Sequence, residues 1–155
     1  MIFPAVDIIR QELINNGVNA ALGNISEIIS DSAGSGVNAD IVISLINIEE
    51  NRISRDPKNY IRKDAGIIMK NPAVHLYLTL LFTSVRRAAG AYGLWLQDLQ
   101  NVIGPFQKKY VFDHSNTPAL NVNIEKLILD MVSLNLQQLH EVWSVLGGRY
   151  FPSVA

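Results

Sequence analysis

Positions 74–85 read Val-His-Leu-Tyr-Leu-Thr-Leu-Leu-Phe-Thr-Ser-Val, and their pattern decides the fold class. Val74, Leu76, Leu78, Leu80 and Phe82 fall on one face of an extended chain; His75, Tyr77, Thr79, Leu81 and Thr83 fall on the other. That two-residue period predicts a strand. Directly afterwards the period lengthens. Between Arg86 and Phe106, Tyr92, Trp95, Leu96, Leu99, Ile103 and Phe106 share one helical face, with Gln97, Asp98, Gln100 and Asn101 opposite.

Working outward, Ile41–Ile48 is β-branched and almost continuously apolar, which predicts a central strand covered on both faces. At the N-terminus, Pro4 suits a first helical turn. Ile2, Ala5, Val6, Ile9 and Leu13 make one stripe, and Gly17 is a natural stop. Asn24–Ser30 reads as a short strand, the turn formers of Asp31–Ala39 as a loop, and Glu49–Lys70 as polar and irregular. Downstream, Tyr110–Phe112 and Ile124–Leu134 predict strands separated by a turn at Asp113–Pro118. Asn135 with Gln138 three residues later forms a capping-box pattern, and Leu136, Leu139, Val142, Trp143 and Leu146 then line one face of a helix that Gly147 ends. The expected fold is α+β: a mixed or antiparallel sheet of about four to five strands with three helices packed on it. A single domain over 1–155 is expected, closing in a short tail at 149–155.

Of the 155 residues 48% are hydrophobic and 17% charged. The charged share lies below the usual ~25%, which leaves neutral surface for contact with other chains. A net charge of −1 gives no global attraction to nucleic acid or anionic lipid. There is no cysteine, which excludes disulfides, thiol nucleophiles and thiolate metal sites. The opening Met-Ile-Phe-Pro-Ala-Val-Asp has no basic segment leading into an apolar core, and the apolar runs break off short of the ~18 residues that span a bilayer. The expectation is a soluble intracellular product.

Candidate chemistry is sparse. His75, His114 and His140 have no ligand partners at metal-site spacing, and Ser144 stands where a zinc-protease helix begun at His140-Glu141 would place its second histidine. Asp113-His114-Ser115 contains the residue types of a hydrolytic triad, but sequence neighbours cannot converge as a relay, so a polar turn is the better reading. Gly34-Ser-Gly36 is too short for a phosphate loop and has no lysine at the required spacing. No enzyme activity, cofactor or metal is expected. One charged cluster stands out: between Arg52 and Lys63, Arg52, Arg55, Lys58, Arg62 and Lys63 stand against a single Asp56, with Tyr60 among them. It fits a solvated loop, a contact with an acidic protein, or a track for a nucleic-acid backbone.

Three strings carry a resemblance. They are Asn47-Ile-Glu-Glu-Asn-Arg52, Asn71-Pro-Ala-Val-His-Leu-Tyr-Leu-Thr-Leu-Leu-Phe82, and the C-terminal run from Asn123 through Trp143, Gly147-Gly148 and Tyr150-Phe151 to Pro152-Ser-Val154. Together they resemble the cap or tail-terminator proteins of phage-tail-like contractile injection systems. The resemblance implies a non-enzymatic, hexameric ring that closes the distal end of sheath and inner tube and stops polymerisation. Its implied partners are further copies of itself and sheath or tube subunits, with no nucleic acid and no membrane insertion. The implied location is cytoplasmic during assembly and then part of the particle. A baseplate or tube-adaptor role in the same machine, or nucleic-acid binding by the 52–63 segment, are the alternatives. Candidate interface residues are Arg52, Arg55, Tyr60 and Arg62, and Arg149, Tyr150 and Phe151 in the tail. Related chains commonly continue past Pro-Ser-Val, so any role of such an extension does not transfer to these residues.

Overall fold

In a computed structural model, which describes residues 1–30, 38–52, 60–64, 66–69, 73–85, 90 and 92–155, the first apolar stripe folds as α1 (Ile2–Asn15). The chain forms two compact units, one of Met1–Ser44 with Leu80–Ala155 and one of Leu45–Thr79.

In the larger unit, α1 buries Ala5, Val6, Ile8, Ile9 and Leu13 and is followed by β1 (Ala20–Leu22). The expected strand at Asn24–Ser30 is instead a helix, α2 (Ile25–Ser30). Asn24 sets its start: the Ser26 amide donates to Asn24 Oδ1 at 3.1 Å. Burial then overrides the β propensity of isoleucine, since Ile25 is fully buried. The buried Ser44 hydroxyl donates to the Gly23 carbonyl at 2.7 Å and accepts from the Ile25 amide at 3.2 Å, tying this turn to the next strand.

That strand is β2 (Ile41–Glu50), buried over Ile41–Ser44 but largely open beyond. It leads into the smaller unit, which contains β3 (Tyr60–Lys63) and β4 (Gly66–Met69) as an antiparallel hairpin. The segment expected to be irregular therefore contains regular pairing. The chain returns through β5 (Leu76–Ser84), whose buried half is Leu80–Ser84. The expected loop at Asp31–Ala39 lies outside the described residues over 31–37.

Next come α3 (Tyr92–Lys108), β6 (Val111–Asp113), β7 (Lys126–Ile128), α4 (Leu136–Val145) and β8 (Ser153–Val154). The main sheet runs β1-β2-β5-β8 and is mixed. β1 and β2 are parallel, with Ala20 opposite Ile41, whereas β5 and β8 are antiparallel, with Thr83 opposite Ser153. α1 packs on β1 and on α3. Beside it, Ile8, Phe112 and Leu120 form a second cluster covered by Phe106, Ile124, Leu127 and Leu129. Lys109 fastens the two, 2.9 Å from Glu12 Oε2 and 4.6 Å from the centre of the Phe112 ring. The fold is α+β; the described residues form a four-stranded mixed sheet and four helices, of which α2 is not expected from the sequence.

Two buried hydroxyls go unmatched among the described residues at the end of this sheet, those of Thr83 and of Ser153 opposite it. Thr83 is fully buried, and its hydroxyl has no hydrogen-bond partner among the described residues. Burying a lone hydroxyl costs about 1–3 kcal/mol on mutational scales. Thr83→Val keeps the shape and removes that group, so it is expected to raise stability by about 1 kcal/mol in urea unfolding.

Candidate functional site

The basic segment lies in the smaller unit. Arg52 follows β2, with its guanidinium Nε 3.6 Å from Glu50 Oε2 and both side chains exposed. An ion pair this open is worth less than about 1 kcal/mol, so Arg52 is held loosely and remains available. Arg55 lies outside the described residues. Tyr60 opens β3, and the cross-strand register places Tyr60 opposite Met69 and Arg62 opposite Ile67. Strand alternation puts these four on one face of the hairpin. All four are exposed, Met69 at 89% and Ile67 at 66%. On the other face Ile68 is exposed as well. Gly66, with φ of +138°, takes a backbone conformation closed to other residues and lets β4 start directly opposite Lys63.

The same unit shows further apolar surface at Leu45, Ile48, Val74, Leu76 and Tyr77. At its root the Asn51 amide donates to the His75 carbonyl at 2.8 Å, and Asn51 Nδ2 donates to the Tyr77 hydroxyl at 2.9 Å. An isolated two-stranded hairpin buries little, so side chains of this kind stay wet until another surface covers them. The sequence reading flagged the basic residues here and passed over Ile67, Ile68 and Met69. The signal is present in Gly-Ile-Ile-Met, an apolar run of strand-forming residues that begins at a glycine.

The tail is built differently. α4 starts on the capping box read from the sequence: the Gln138 amide donates to Asn135 Oδ1 at 2.8 Å, and the Asn135 amide donates to Gln138 Oε1 at 3.1 Å. It ends as Gly147 and Gly148 take φ of +117° and +75°, which lets the Gly148 amide reach back to the Trp143 carbonyl at 2.8 Å. The reversed chain lays Phe151 between Trp95 and Trp143, at ring-centre distances of 5.8 and 6.1 Å. Tyr150 meets Trp143 edge-on at 5.7 Å. The Ser84 amide donates to the Pro152 carbonyl, and the Val132 amide to the carbonyl of Ala155. Of the three tail candidates, Phe151 packs half-buried within its own unit, while Arg149 and Tyr150 remain exposed. The basic and tail candidates thus fall in different units.

Asp113-His114-Ser115 is a turn. Asp113 Oδ1 accepts from the Ser115 amide at 2.9 Å, the Ser115 hydroxyl at 2.5 Å and the Asn116 amide at 3.0 Å. The Ser115 hydroxyl bond first, then the Asn116 amide, hold its pKa below the ordinary 3.8. A depressed carboxylate stabilises the fold above its unfolded-state pKa and loses that contribution as pH falls through its folded-state value. The stability gap between the parent and Asp113→Asn is therefore expected to be constant from neutral pH down to about 5 and to shrink below 3.8, read by denaturant titration at each pH.

What fold and surface define is a mixed-sheet α+β module carrying an apolar hairpin flanked by basic residues. The chain belongs to the Pvc16 N-terminal domain family, whose model matches residues 5–155. That family is associated with phage-tail-like contractile injection systems. No curated protein matches the chain. Among the described residues, no helix is long and apolar enough to cross a membrane.

Proposed function

We propose that this protein is a cap, or tail terminator, of a contractile injection system. It acts without catalysis, as a ring of six copies seated on the last layer of sheath and inner tube, where it stops further polymerisation. Assembly takes place in the cytoplasm, and the ring then travels as part of the particle. Family membership supports the machine, and one observation supports an assembly role within it: the β3–β4 hairpin presents Tyr60, Ile67, Ile68 and Met69 to solvent. A chain that must touch both its neighbours and a polymer end needs such open apolar surface, because most of an interface's energy comes from a few desolvated anchors. The contact between ring members is head-to-tail and closes on itself, so each copy carries two different complementary patches.

The test is to add gold-labelled protein to particles assembled without it, with and without nuclease treatment, and to score label position by electron microscopy. Label at the end away from the baseplate is expected. Label at the baseplate end would replace the cap by an adaptor, and label lost with nuclease would replace it by nucleic-acid binding.

A further inference from the structure

We propose that the outer face of the β3–β4 hairpin of one copy docks on residues 125–136 of a second copy. This rests on the ring reading above and names the contact that would close it. The hairpin face has an apolar centre, Ile67 and Met69, with Tyr60 and Arg62 on the same face and the loosely paired Arg52 in the same unit. The counterpart begins at β7. There Leu127 and Leu129 turn inward to the Phe112 cluster, so Ile128 between them faces out. Met131, Val132 and Leu136 continue the apolar surface, Met131 at 67% and Leu136 at 85% exposed. Glu125 and Asp130 flank it, both exposed. The stretch has one base, Lys126, which lies on the same strand face as Ile128 and opposite Asp113 in the β6–β7 pairing, so residues 125–136 carry two carboxylates against a single positive charge.

The two faces are alike in apolar character and opposite in sign. Positions 45–79 hold six basic and four acidic residues, whereas the rest of the chain holds seven basic and ten acidic. An apolar centre within a charged rim is the usual anatomy of a specific interface, and opposite rims steer encounter and fix register. Both faces are exposed among the described residues. Like-charged hairpins repel one another, which disfavours a symmetric hairpin-to-hairpin pair and leaves the heterologous arrangement that a ring requires.

The chain has no cysteine, so the variants Met69→Cys and Met131→Cys each carry a single thiol. Full-length proteins carrying these changes, tagged to differ in mass, are mixed and oxidised. The disulfide-linked pair joining the two variants is expected to exceed, by about fivefold or more, the pair joining Met69→Cys to Phe3→Cys on α1, the factor that one desolvated anchor supplies. Ile128→Asp is expected to lower self-association by at least the same factor. A mixed pair no richer than the control overturns the proposal, as does linking of Met69→Cys to a sheath or tube subunit in place of a second copy. If the protein self-associates and labels particle ends without the Met69–Met131 link, the docking is wrong and the cap reading stands. If the link forms while particle ends stay bare, the docking stands and the cap reading falls.

Discussion

Trp143→Ala is expected to lower the unfolding free energy by about 3–5 kcal/mol, the cost of emptying a buried aromatic site. A small domain has roughly 5–15 kcal/mol in total, so the variant would sit near the edge of folding. Trp143 is 4% exposed and joins three parts of the larger unit. It belongs to α4, meets Tyr150 of the returning tail, and reaches Trp95 of α3 through Phe151. Its indole N–H has no hydrogen-bond partner among the described residues, so the expected loss is one of packing, and Trp143→Phe should recover much of it. Urea unfolding followed by far-ultraviolet circular dichroism measures the change. A cost below about 1 kcal/mol for the alanine variant would mean that the tail does not close this core.

The double variant Ile67→Thr/Met69→Thr is expected to behave in the opposite way. Threonine suits a strand, and both sites are exposed, so unfolding should stay within about 0.5 kcal/mol of the parent. Binding to particle ends should weaken by about tenfold or more, since two apolar anchors are lost at once. Co-sedimentation with particles assembled without the protein reads this directly. Undiminished binding would move the interface elsewhere and return the hairpin to mere surface.

Much of the larger unit was legible because its local signals agree. The stripe Ala5, Val6, Ile9, Leu13 is the buried face of α1, and Asn135 with Gln138 caps α4 as its sequence says. The alternation at 74–85 marks β5 correctly but says nothing of burial, which is confined to Leu80–Ser84. Sequence reasoning failed where long-range contact outweighs propensity. β1, an Ala-Ala-Leu triplet, exists because it pairs in parallel with Ile41–Ile43. α2 carries a real start signal in Asn24 followed by Glu27 three residues later, overlooked because its isoleucines favour strands. Asp98 was assigned to the solvent face of α3 yet is 6% exposed, with the Ser84 hydroxyl 3.4 Å from its Oδ2. The helical face is therefore rotated from the one that Tyr92 and Leu96 suggest. Of the candidate site, charge was visible in the sequence, whereas the exposure of Ile67 and Met69 emerged only once the hairpin register was known.

The cap assignment is tested most directly by imaging injection particles from cells with and without this chain, scoring sheath length and density at the end distal to the baseplate. A cap predicts overlong, ragged or absent sheathed particles lacking end density when the chain is missing. Particles of unchanged length with intact distal ends would contradict it.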